Sequence, residues 1–484
     1  MAAVERQPRT STTGISLAPL VAVVVTSSIG VRIFALTSDL ANAAAPGPAL
    51  LAWLIVGFGI LMLSLSLNHL VLKKPELEGI FAYADAGFGH FSGFISGWGY
   101  WLSAWLGNVA FATVLMSAIG YFVPAFKGGQ NMASIIGASI ASWLLTYIVN
   151  RGIESATFLN AIVTVCKLIP LFAFIVFAIV MFNGKVFTAE FWGNLTTNLS
   201  SDTKNVSIWN QMRDCMMALM WVFVGIEGAA MLSSRAKRKT DAGKATLIGL
   251  ISLIIIYLLA SMLPYGYLSR TELTRLPEPA MVYIFSDMVG SWGGAFISIG
   301  LIISVLGSWL SWTMLPVETT RLMAKQKLLP AIFGKENKYG SPTFSLVLTA
   351  SLVQLFLFSL LFTDRAYNFA YSLCTAAIII CYIFVALYQI KLSWQERTVR
   401  GNWKQLLFGV FALLFQCIGI YMAGLQYVLL CLIAYIPGLF FFAQARRERG
   451  ATHWLTRNEW LVTALLAAGA VLGIFLLVTG RIAA

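Results

Sequence analysis

Three ionisable residues stand where apolar sequence ought to exclude them. Arg32 interrupts a run reaching from about Ile15 to Ala45, within Ile29-Gly30-Val31-Arg32-Ile33-Phe34. Glu227 interrupts a later run, within Phe223-Val224-Gly225-Ile226-Glu227-Gly228. Lys167, in Val165-Cys166-Lys167-Leu168-Ile169-Pro170, lies too deep in its run for easy snorkelling. A charged side chain near the middle of a bilayer costs on the order of 3 kcal/mol unless it faces a cavity or a partner. Beside Arg32 and Glu227 stands glycine, which lets a helix unwind. Unwound backbone is tolerated at membrane depth only where protein packs around it or it lines a cavity. These segments therefore point to a site inside a membrane protein.

Such a site binds rather than reacts. A broken helix presents the amides of its second half, with the positive end of the helix dipole, to an anion. In the first segment those donors belong to Val31, Arg32 and Ile33, and they suit an α-carboxylate. The carbonyls freed from the first half suit an ammonium. Glu227, charged, pairs with a cation or a lysine; protonated, it couples a proton. A purely structural hydrogen-bond hub is the plainer reading of it. The Lys167 ammonium is placed to brace the broken helices through their free carbonyls, ahead of any role in titration. Asn108, Trp221 and Trp312 are polar or aromatic residues within apolar runs, each of which taken singly also fits packing. No Ser/His/Asp, HExxH or phosphate-loop pattern is present. His69, His90 and His453 fall at run ends or in loops, and the six cysteines have neither metal spacing nor a disulfide framework. Neither an enzyme nor a bound cofactor or metal is expected.

The elements that must position these residues are membrane helices. The chain has 484 residues, 59% hydrophobic and 11% charged, with a mean hydropathy of +0.80; soluble domains carry about 25% charged residues. Thirteen apolar spans are predicted, centred near Val25, Gly59, Leu106, Ala141, Phe174, Val222, Ile255, Ile303, Ser351, Ile379, Leu414, Leu432 and Gly469. The polar stretch 1–13 predicts no cleavable signal peptide. Most of the 33 Lys and Arg residues fall on one side of the membrane if the N-terminus is cytoplasmic, with clusters at 235–244, 321–338 and 446–457. The net charge of +13 is thereby read as topology, with the C-terminus outside, and not as nucleic-acid binding. The 235–244 cluster also suits contact with anionic lipid. Asn-x-Ser/Thr triplets at Asn194, Asn198 and Asn205 are read as chance. Spans one and six head two blocks of five, and an odd number turns the second block upside down. Paired broken helices in inverted halves mark a secondary transporter's substrate site. The divisions are a cytoplasmic tail (1–14), a first repeat (15–183), an extracytoplasmic loop (184–212), a second repeat (213–392) and peripheral helices (393–484).

Further segments carry a family likeness. They are Ala44-Ala45-Pro46-Gly47, Tyr100-Trp101-Leu102-Ser103-Ala104-Trp105-Leu106-Gly107-Asn108 and Ser308-Trp309-Leu310-Ser311-Trp312-Thr313-Met314-Leu315. With the two breaks, they make nearly the whole chain resemble the amino acid–polyamine–organocation superfamily, in particular its basic amino acid/polyamine antiporters of the arginine:ornithine type. The resemblance implies an all-α, polytopic, five-plus-five inverted-repeat transporter that exchanges arginine for ornithine across a bacterial inner membrane by alternating access. It implies that Ile29, Gly30, Val31 and Arg32 bind the substrate carboxylate, with Phe223 and Gly225 of the second break alongside. Trp221 matches the aromatic that stacks over the substrate side chain. Ala104 and Asn108 match the lining of its pocket, with Trp312 at the edge. Tyr100, Glu227 and Tyr382 match a cytoplasmic gate. Lys167 matches a lysine that takes the place of sodium in sodium-coupled relatives. A monomer and a homodimer both fit.

Two departures bear on the substrate. The family reads Gly-Ser/Ala-Gly at the first break where this chain has Gly30-Val31-Arg32, and a side chain at the third position crowds the substrate's approach. Arg32 is placed to reach Glu227 or Asp39, or to meet a carboxylate itself; beside a cationic substrate it repels. Cys381 precedes Tyr382 where the family often has proline. Other substrate pairs therefore stay open: arginine/agmatine, lysine/cadaverine, histidine/histamine or tyrosine/tyramine. So does a non-transporting sensor occluded by Arg32.

Overall fold

Apolar runs of this length leave the backbone in lipid with no partner but itself, and so they coil. The computed structural model describes residues 16–18, 21, 25, 29–152, 157–193, 207–227, 239–361, 366–398, 402–451 and 455–479. Outside them lie the tail 1–14, most of the first half of span one, the triplets at Asn194, Asn198 and Asn205, Gly228, His453 and the first part of the 235–244 cluster. Among the described residues every regular element is helical.

The principal helices in chain order are α1 (Leu36–Ala43), α2 (Pro46–Lys73), α3 (Ile80–Phe88), α4 (His90–Ile119), α5 (Met132–Asn150), α6 (Thr157–Val180), α7 (Ile208–Trp221) and α8 (Lys239–Met262). They continue as α9 (Ala280–Val289), α10 (Ser291–Lys325), α11 (Thr343–Ser359), α12 (Ala366–Gln395), α13 (Asn402–Ala423), α14 (Leu425–Glu448) and α15 (Arg457–Val478). Ten of the described helices are long and apolar enough to cross a bilayer. The chain is an all-helical, multi-pass membrane protein.

Helix α4 is the centre of the bundle, packed between α10 and α12. Its most apolar window is 94% buried, against 11% for α15, which packs mainly on α14. The difference is chemical as well as positional. Two tryptophans of helix α4 place their N–H groups on partners: Trp98 Nε1 donates to Ala434 O at 2.9 Å, and Trp101 Nε1 to Thr349 Oγ1 at 3.0 Å. Helix α15 shows Leu465, Val471 and Val478 outward, at no cost in lipid tails as apolar as a leucine side chain.

One corner occurs twice. The short helix α3 turns into α4 at Gly89 (φ 89°, ψ 172°), and the short helix α9 turns into α10 at Gly290 (φ 92°, ψ 174°).

Helix α1 is the second half of span one, and residues far along the chain hold it. Tyr265 Oη donates to Ala44 O at 2.9 Å, and Arg270 Nε to Ala41 O at 2.8 Å. Both satisfy carbonyls that a helix C-terminus leaves without intrahelical partners, and Arg270 adds a cation at the negative dipole end. Gln211 Oε1 accepts from Ala45 N at 2.9 Å, tying the end of α1 to α7, the first half of span six. The two half-helices therefore meet.

Candidate functional site

Ile29 and Gly30 leave helical geometry, and Val31–Phe34 form a single 3-10 turn ahead of α1. The Ile29 carbonyl accepts from Lys167 Nζ at 3.0 Å. Helix α6 delivers that ammonium just before Pro170, a residue that removes an intrahelical hydrogen bond. On the other side of the break Gly30 N donates to Tyr257 Oη at 3.4 Å.

The second break follows Trp221, the last residue of α7. Gly225 takes φ +106°, a conformation open in practice to glycine, and a Cβ there would stand 3.1 Å from the Trp312 ring. Glu227, buried at 2% exposure, turns its carboxylate back on the break: Oε2 accepts from Gly225 N at 3.2 Å. The same oxygen accepts from Tyr382 Oη at 2.7 Å, and Tyr100 lies beside the carboxylate. Three residues separated by up to 282 positions thus form one buried cluster. Phe223 is buried edge-on to Trp53 at 6.1 Å and against Tyr257 at 5.5 Å. Val222, Phe223, Ile226, Leu253 and Tyr257 line a crevice beside this break.

Helix periodicity explains what α4 contributes. Tyr100, Ala104 and Asn108 recur every four residues and share a face. Tyr100 meets the Glu227 cluster, Asn108 Nδ2 donates to Trp312 O at 3.2 Å, and Ala104 lies between them, fully buried. Asn108 Oδ1 is buried without a hydrogen-bond partner among the described residues. One position earlier on each turn stand Ser103 and Gly107. Ser103 Oγ is 3.3 Å from Cys374 Sγ.

Arg32 is where the structure says most beyond the sequence. Its guanidinium carbon lies 3.5 Å from the centroid of the Trp221 ring, and Nη1 donates to the Trp221 carbonyl. Nη2 is 3.9 Å from Cys374 Sγ. A desolvated cation–π contact contributes about 2 kcal/mol, and a hydrogen bond to a charged group roughly 1.5–3 kcal/mol. Together they are enough to offset the cost, on the order of 3 kcal/mol, of a charge at this depth. The sequence offered Glu227 or Asp39 as partners for this side chain; an aromatic face was not among the expectations. Trp221 is in turn covered by Tyr371, stacked at 5.0 Å. Tyr257, Tyr371, Ser103 and Cys374 are the site residues that sequence reasoning missed. A phenol within the apolar stretch Ile254-Ile255-Ile256-Tyr257-Leu258 was the one signal available for Tyr257.

The sequence has relatives. The amino acid permease family matches residues 15–466. The chain belongs to the amino acid permease family. An arginine/ornithine antiporter of Latilactobacillus sakei is 62% identical over 468 residues, covering 97% of this chain and 98% of the relative. An arginine/ornithine antiporter of Lactococcus lactis is 48% identical, covering 96% of this chain and 89% of the relative. An arginine/agmatine antiporter of Chlamydia pneumoniae is 36% identical, covering 96% of each. This permease is accordingly a transporter and not an enzyme, and its paired breaks lie inside the permease fold.

Proposed function

We propose that this permease exchanges arginine for ornithine across a bacterial inner membrane by alternating access. The observation that carries the reading is the 62% identity, over nearly the full length of both chains, to a protein named an arginine/ornithine antiporter. The relatives named for arginine/agmatine exchange stand lower, at 35–36%.

The substrate carboxylate meets the first amides of the Val31–Phe34 turn, which carry the positive end of the following helix. Trp221 covers the side chain, Phe223 and Gly225 flank it, and Ala104, Asn108 and Trp312 line its pocket. The Tyr100–Glu227–Tyr382 cluster closes the site toward the cytoplasm. Breaking and remaking its hydrogen bonds is the local cost of opening. Lys167 on the Ile29 carbonyl replaces a coupling cation, which fits exchange without sodium.

The matching corners at Gly89 and Gly290 support inverted repeats at 15–183 and 213–392. Thirteen crossings result when the two interrupted spans and α11 are added to the ten long helices. The distribution of Lys and Arg supports an N-terminus inside and a C-terminus outside.

Vesicles containing purified protein and preloaded with ornithine take up labelled arginine; vesicles without an internal substrate do not. Uptake that requires agmatine inside moves the substrate pair, and no uptake with any internal amine refutes exchange.

A further inference from the structure

The seating of Arg32 extends the reading just proposed, on which it rests. Three other spans converge on this one guanidinium. Trp221 offers an aromatic face 3.5 Å from the guanidinium carbon and a backbone carbonyl to Nη1. Cys374, itself in contact with Ser103, lies 3.9 Å from Nη2. Gly107 completes the wall: Nη2 is only 3.3 Å from where a Cβ at that position would stand, so a side chain there would crowd the guanidinium. Arg32 is 6% exposed. An aromatic plane, a fixed acceptor and a close, small-residue wall are what a planar cation with donors in a rigid fork requires.

These same residues border the pocket assigned above to the substrate's side chain. We infer that Arg32 is a tethered guanidinium seated in the place used by the side chain of transported arginine, so that incoming arginine must displace it. Two cations cannot share that low-dielectric space without strong repulsion. The tether gives the internal competitor a high effective concentration. Apparent affinity then falls by the fraction of molecules whose pocket is vacant. Ornithine ends in a compact ammonium with no planar face to stack, so it binds the emptied pocket less tightly than arginine, but it needs the same vacancy and its apparent affinity falls by the same factor.

Equilibrium binding of labelled arginine to full-length protein tests this in wild type, Arg32→Gly and Arg32→Gln, the last keeping much of the side-chain volume. The expected result is binding at least about tenfold tighter in both variants, with a similar fold-gain for ornithine. Methylguanidinium, a free copy of the tethered group, competes with arginine in all three proteins, but at about tenfold lower concentration in the variants than in wild type. Variants that elute as wild type and bind arginine no more tightly overturn the inference, as does competition by methylguanidinium that is equal in all three. Failure of the transport reading looks different. In that case the variants bind methylguanidinium, while neither they nor wild type exchange arginine for ornithine.

Discussion

Gly30 and Gly225 occupy matching breaks in spans one and six but meet opposite demands. Gly30 has φ −91° and ψ 175°, extended backbone open to any residue, and a Cβ there would touch nothing within 4 Å. Gly225 has φ +106° and lies against Trp312. The first break is held from outside, by Lys167 on the Ile29 carbonyl and by Tyr257 at the Gly30 amide. The second is held from within, by Glu227 reaching two residues back to the Gly225 amide. The charges divide in the same way. Arg32 of the first break lies on Trp221 of the second, whereas Glu227 serves its own break and the tyrosines beside it. A break can thus be specified by local backbone or by distant partners, and the two kinds respond differently to mutation.

The sharpest separation comes from alanine at each glycine. Gly225→Ala combines backbone strain of roughly 1–3 kcal/mol with displacement of Trp312, so exchange falls about ten- to a hundredfold. Lys167→Met comes next. It removes a charged donor worth roughly 1.5–3 kcal/mol from the Ile29 carbonyl, so thermal unfolding shifts downward and exchange drops about tenfold. Glu227→Gln keeps the shape but weakens the hydrogen bonds from Tyr382 and Gly225 by about 1–2 kcal/mol, slowing exchange roughly tenfold with less effect on arginine binding. Gly30→Ala changes stability by less than about 0.5 kcal/mol and leaves exchange within roughly twofold. Equal losses at Gly30 and Gly225 in paired flux measurements would erase the distinction between the breaks.

What the sequence disclosed follows from the same contrast. Charge in an apolar run is a loud signal because lipid makes it costly, and so Arg32, Lys167 and Glu227 stood out before any fold was known. That Lys167 is placed to brace a broken helix followed from depth and from the need of freed carbonyls for donors; which break it meets came only from the structure. Tyr257, Tyr371, Ser103 and Cys374 gave little signal. Such residues are ordinary in membrane helices, and their roles arise from contacts across long sequence separations, 227 positions for Gly30 and Tyr257. The direction of Arg32 was equally hidden. A long side chain chooses between a carboxylate and an aromatic face according to where neighbouring spans place them, and spacing along the chain does not encode that. The demand at Gly225 was also unreadable, since both breaks carry glycine and only backbone geometry tells the permissive one from the obligatory one.

The central claim is that one site, built where the two broken spans meet, carries arginine one way and ornithine the other. It is tested most directly by dual-label flux through purified protein in vesicles, with one isotope on external arginine and another on internal ornithine. The account predicts that the two fluxes are equal and stop together when either amino acid is withdrawn. Arginine entry that continues into vesicles holding no internal substrate would contradict it.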